Sequence, residues 1–243
     1  MLMLYWRDDM YQISDLIMLF QYHYGYIVQS YFYVILQFLL MYVLFALSKN
    51  GVLESFSSVV FPGFFRRNYA LLMFVLMMLI SVILAVCCIV LSNVVFNMSN
   101  DFVYLAGVVL GFRKGIVILL IGCLYRILML YLELGGVAWM LYMFLDLVFY
   151  FLAGLFFSTM LYTRLENISA SEILFICLNK ITVSMVSATL WFFMMGDAWF
   201  SGFNVLLFRL VAWPMVTIPM MTVFLFLLRT GVRQSLQQTL HAT

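Results

Sequence analysis

Ionisable side chains inside an apolar chain come first, because each costs about 2.5 to 3.5 kcal/mol at the centre of a membrane helix and so needs a reason to be there. Four stand deep in apolar stretches: Arg126 in LLIGCLYRILML, Asp146 in MFLDLVF, Lys180 in CLNKITV and Arg209 in FNVLLFRLVAWP. Glu133 and Glu172 lie nearer the edges of theirs. A guanidinium offers a planar fork of donors suited to a carboxylate or a phosphate, which makes Arg126 the candidate contact for a small anion. Two structural roles compete with that one: an ion pair with Glu133, or snorkelling of the long side chain to the headgroups. Asp146 and Lys180 sit near the middles of consecutive apolar blocks. Opposite charges at matching depth neutralise one another, so an Asp146–Lys180 intramembrane ion pair is expected; a proton- or ion-coupled pair would use the same two residues. Pro214 and Pro219 each remove a helix hydrogen bond and are expected to bend the last helix.

Other chemistries lack their parts. There is no GxxxxGK(S/T), HExxH or GxSxG, and the two histidines, His23 and His241, lie at opposite ends of the chain. Cys87, Cys88, Cys123 and Cys177 fall inside apolar blocks without metal-ligand or CxxC spacing and are expected to be packing residues. An enzyme is not expected, nor a metal or cofactor. The formal net charge of +2 comes from basic residues scattered along the chain, which argues against a nucleic-acid partner.

The elements that must position these residues follow from composition. At 67% apolar and 9% charged residues over 243 positions, the chain is far from a soluble domain, whose charged share is about 25%. Unbroken apolar blocks of helix length exclude a membrane β-barrel, so the expectation is an all-α polytopic membrane protein. A hydrocarbon core of about 30 Å asks for about 20 apolar residues per helix. Five blocks satisfy that: Val28 to Ser48, Tyr69 to Ser92, Val137 to Thr163, Ala170 to Met195 and Phe203 to Leu228. A sixth, Phe102 to Tyr131, is too short for two spans and is interrupted by Arg113 and Lys114.

Charge decides how the sixth block is threaded. If it enters and leaves on one side, Lys49, Arg66, Arg67, Arg164, Arg229 and Arg233 face the cytoplasm against Arg7 outside, as the positive-inside rule prefers. A single crossing would move Arg164, Arg229 and Arg233 outside. Two half-length helices around Phe112 to Gly115 are therefore expected, with the N-terminus out and the C-terminus in. Non-helical backbone at membrane depth survives only in a shielded or wet interior. The acidic N-terminal stretch MLMLYWRDDMYQISD does not resemble a cleavable signal peptide. The organisation expected is one domain: an interfacial segment over residues 1–27, a membrane bundle over 28–228 and a cytoplasmic tail over 229–243.

In chain order these features resemble the five-transmembrane receptor module of LytS-type bacterial sensor histidine kinases. The pieces that carry the resemblance are Gly107, Leu110-Gly111 and Gly115, then Gly122, Tyr125-Arg126 and Gly135-Gly136, then Ala153-Gly154, and Pro214 ahead of Arg229. The chain departs from that pattern where Ser99 or a neighbour replaces an Arg before the Gly-rich block, and where Phe112, Arg113 and Lys114 replace Gly and Pro at the turn. The resemblance implies a multi-pass receptor in the bacterial inner membrane that senses a small anion or a membrane state and signals to a cytoplasmic or membrane partner. Arg126, Tyr125, Arg113 and Lys114 form the candidate ligand set. Only a short tail follows the last apolar block, so the expectation is a stand-alone relative, a truncated receptor, or a receptor whose output lies in a partner. A small-solute transporter subunit and a structural subunit of a membrane complex are the competing expectations. Membrane lipid is the one partner implied throughout, and the oligomeric state is left open.

Overall fold

The computed structural model describes residues 32–55, 64–92, 98–131, 137–160, 165–194 and 213–241. The interfacial segment 1–27, Glu133, Gly135-Gly136 and Arg209 lie outside the described residues. Every regular element among the described residues is helical. Helix α1 covers Phe32–Lys49 and α2 covers Tyr69–Ser92. Then follow α3, Ser99–Tyr131; α4, Val137–Met160; α5, Ala170–Met194; and α6, Trp213–His241. Among the described residues, four stretches are long and apolar enough to cross a membrane: Phe32–Lys49, Tyr69–Cys87, Ser99–Leu128 and Ala170–Leu190.

The Ser99–Leu128 stretch is folded back on itself. Gly111 has φ 67° and ψ −171°, a conformation open essentially only to glycine, and it divides α3 into arms over 99–110 and 112–131. The break thus falls one residue before the Phe112–Gly115 segment expected to hold it, because glycine rather than the charged pair supplies the turn. The arms run side by side: a Cβ on Gly115 would meet the Ala106 carbonyl oxygen at 2.9 Å. At their open ends, Arg126 of the second arm bonds Ser99 and Asn100 of the first.

Small residues dock this hairpin on α4. A Cβ on Gly107 would lie 2.7 Å from the Phe151 carbonyl oxygen, and Gly107 and Gly154 face each other across the contact. Lipid tails are as apolar as leucine, so helices in a membrane associate through such close packing rather than through expulsion of water. On the other side, Phe224 of α6 meets Phe45 of α1, Phe74 of α2 and Phe102 of the first arm edge to face, at centroid distances of 6.1, 4.9 and 5.4 Å. Each such pair contributes about 0.5 to 1.5 kcal/mol beyond its burial. Outward faces follow the helical period: on α1, Ile35, Leu39 and Tyr42 are exposed while Val34, Gln37, Met41 and Leu44 are buried.

The bundle has a basic end. Arg229 of α6 donates to the Ile168 carbonyl at 2.8 Å, and Arg233 donates to the Glu166 carbonyl. The hairpin tip reaches the same end. Tyr104 donates to the Ile176 carbonyl at 3.0 Å, and Gly111 lies seven residues further along the arm, about 10 Å at 1.5 Å per residue.

Candidate functional site

The open end of the hairpin carries three polar residues in succession, Ser99, Asn100 and Asp101, in the first turn of the arm. All three are turned into the bundle. Ser99 and Asp101 are buried, and two chains of contacts leave from them. In the first chain, Arg126 Nη2 donates to Ser99 Oγ at 3.2 Å and to Asn100 Oδ1 at 2.9 Å. Asn100 Nδ2 then donates to Asp146 Oδ2 of α4 at 2.6 Å, and Ser187 of α5 donates to the other oxygen of Asp146. One amide thereby links a guanidinium to a carboxylate. The Arg126 guanidinium also stacks over the Tyr125 ring, 5.2 Å from its centroid, and Arg126 is 2% exposed.

The second chain corrects an expectation. Lys180 pairs with Asp101, not with Asp146. Its Nζ also approaches Thr217 Oγ1 of α6 at 3.5 Å and lies 6.0 Å from the centroid of the Tyr150 ring, whose hydroxyl shares a 2.7 Å hydrogen bond with Ser184. The physical reason is depth. Lys180 and Ser187 are seven residues apart on α5, about 10 Å along its axis, and Asp146 meets the Ser187 level while the hairpin brings a carboxylate to the Lys180 level. On α5, Lys180, Ser184 and Ser187 recur at helical spacing on one buried face.

The proposed ligand set divides. Arg126 and Tyr125 sit together in the buried layer. Arg113 and Lys114 are exposed beside the tip, and thirteen residues of helix, about 20 Å, separate Arg113 from Arg126. No small ligand can touch both. The helix bend is also divided: Pro214 is the second residue of α6, where a missing N–H costs nothing, so only Pro219 lies in the helix interior and can bend it. The proposed partner of Arg126, Glu133, lies outside the described residues. Asn100, Asp101, Ser187 and Thr217 were not singled out in the sequence. The run Ser99-Asn100-Asp101 just ahead of an apolar block was a legible helix-start signal, but single serines and threonines in spans carry none.

In chemical terms the described layer holds two cations, Arg126 and Lys180, and two carboxylates, Asp101 and Asp146, all at most 3% exposed. Among the described residues no group of His, Cys, Asp or Glu could hold a metal ion. The hairpin is tied to α4 and α5 through Asn100 and Asp146, and to α5 and α6 through Lys180 and Thr217.

These features define a helical membrane protein built around a helical hairpin folded at Gly111, with a buried ionic layer at its open end. The family described as "5TMR of 5TMR-LYT" matches residues 53–230, and the chain belongs to it: it is a five-transmembrane receptor module of the LytS type. No curated protein and no solved structure matches the chain.

Proposed function

We propose that this receptor module responds to a small carboxylate or phosphate reaching Arg126 and passes the response through α6 to a signalling partner. The observation that carries the proposal is the bonding of Arg126 to two neutral oxygens of the opposite arm, one of them on the amide that holds Asp146. A charged acceptor forms shorter and stronger bonds to a guanidinium than a hydroxyl or an amide does. An anion therefore competes with Ser99 and Asn100, and it also repels Asp146 one amide away. That repulsion differs between two arrangements of the bundle, and a ligand can shift an equilibrium only by such a difference. The α5 helix receives the change through Ser187, and α6, in contact with Lys180 through Thr217, continues past Arg229 to His241.

In this proposal the module is a multi-pass protein of the bacterial inner membrane, with five full crossings besides the hairpin, N-terminus out and C-terminus in. It carries no catalysis of its own. The basic end with Arg113, Lys114, Arg229 and Arg233 is cytoplasmic under the positive-inside rule.

The test is a thermal-shift panel of small carboxylates and phosphates on the detergent-purified protein, wild type beside Arg126→Lys. A ligand at 100 times its Kd stabilises by about 2.7 kcal/mol. Lysine keeps the charge but not the fork, so the variant should respond less. Equal stabilisation of both proteins removes Arg126 from the site, and a panel without a hit overturns the anion proposal.

A further inference from the structure

Gln37 of α1 and Ser81 of α2 are 0% and 1% exposed, and neither the Gln37 amide nitrogen, its oxygen, nor the Ser81 hydroxyl has a hydrogen-bond partner. A buried polar group is nearly always paired, with protein or with ordered water, because an unpaired one bears its whole desolvation cost. Both lie in the membrane bundle but in different helices, so their relative placement matters.

The Phe224 junction supplies the register. Phe45, Phe74 and Phe224 meet there, while Ser48, Tyr69 and Gly231 meet further toward the basic end: Ser48 bonds Tyr69 at 3.1 Å, and Gly231 packs against the Tyr69 ring. Helices α1 and α6 thus run toward that end and α2 runs away from it. Moving from the junction in the other direction, Ser81 is seven residues after Phe74, Thr217 seven before Phe224 and Gln37 eight before Phe45. Seven or eight residues are two turns and about 10 to 12 Å of rise, so the three polar residues stand at one level. Seven residues also return a helix to nearly the same face, so Ser81 and Thr217 are directed to the junction that Phe74 and Phe224 occupy below them. Thr217 is 0% exposed and meets Lys180 there.

Two further facts define what this level can accept. Lys180 is already neutralised by Asp101, so a guest must be uncharged. One helical turn from each polar residue stands a methionine that is 0% exposed, Met41, Met77 and Met221 respectively; these deformable side chains admit a small guest but leave little room.

We propose that Gln37, Ser81 and Thr217 form a second polar site, which touches the ionic layer only through the Lys180–Thr217 contact and takes a water-sized uncharged hydrogen-bonding guest: one or more ordered water molecules joining α1, α2 and α6. It does not depend on Arg126 binding an anion.

Radiolytic hydroxyl-radical footprinting of the purified protein tests it, because buried side chains beside bound water are labelled while dry ones are not. Met41, Met77 and Met221 should label at least several-fold faster in the wild type than in Gln37→Leu, with Met73, near the aromatic junction, unchanged between the two. Thermal unfolding supplies the second readout, with Ser81→Ala as the milder variant. A guest held by both residues makes Gln37→Leu and Ser81→Ala each lower Tm, with a double variant less than additive. Equal labelling in the two proteins, or a Tm that rises in each variant because an unpaired group has been removed from a dry core, overturns the proposal.

Discussion

Replacing Asp101 with asparagine tests the wiring of the buried layer most directly. Both members of the Asp101–Lys180 pair are 1% exposed, so the substitution leaves an ammonium in the bundle without its carboxylate. Breaking a buried pair costs about 3 to 5 kcal/mol. The contacts remaining to Lys180 are a 3.5 Å approach to Thr217, at the limit of a hydrogen bond, and a ring 6.0 Å away, at the limit of a cation–π contact. Together they return no more than about 1 kcal/mol. The net loss expected is about 2 to 4 kcal/mol, or roughly 5 to 15 °C in Tm at about 2 to 4 °C per kcal/mol for a chain of this size. Lys180→Met should cost a similar amount by stranding Asp101. The double variant Asp101→Asn/Lys180→Met removes both charges and should recover most of either loss, giving a coupling of about 2 kcal/mol or more in a thermal-unfolding cycle in detergent. Asp146→Asn, which loses the contacts to Asn100 and Ser187 rather than one to Lys180, should combine additively with Lys180→Met. Coupling of Lys180 to Asp146 rather than to Asp101 would refute the assignment, and additive losses at Asp101 and Lys180 would show that the two never meet.

Three further outcomes follow from the hairpin. Gly111→Ala meets open space and suffers only the backbone strain at φ 67°, ψ −171°, so it should cost about 1 to 3 kcal/mol, whereas Gly154→Ala drives a methyl into the Tyr104 backbone and should cost more; the ordering of their Tm values checks the packing. Cysteine at Arg113, in a background lacking the native cysteines, should react with an impermeant maleimide from the cytoplasmic side of inverted vesicles. Arg113→Ala/Lys114→Ala should leave any anion-induced thermal shift unchanged, since both residues stand about 20 Å from Arg126.

Much of the architecture was legible before any coordinates. Helix-length apolar blocks can satisfy backbone hydrogen bonds only within themselves, which forced an all-helical membrane protein. The excess of Lys and Arg at block edges favoured an in-and-out excursion for residues 102–131, and the two arms of α3 lie side by side as that excursion requires. The glycine spacing that carried the family resemblance is the spacing that lets the arms and α4 touch. Arg126 stood out because an arginine in an apolar run is rare and costly.

Partners were decided by tertiary structure alone. Depth along separate helices cannot be read from position within a block to better than a turn or two, and one turn is 5.4 Å, more than the reach of an ion pair. Asp146 and Lys180 therefore looked matched, while the hairpin inserted Asp101 at the level of Lys180 and gave Asp146 to Asn100 and Ser187. Arg113 and Lys114 shared a block with Arg126, yet all three stand on one unbroken arm, whose thirteen residues of helix put Arg113 about 20 Å from Arg126 at the other end of the bundle. Gln37, Ser81 and Thr217 carry no signal in sequence, since a neutral polar residue in a span is common. Only the packing of α1, α2 and α6 around Phe224 brings the three to one level.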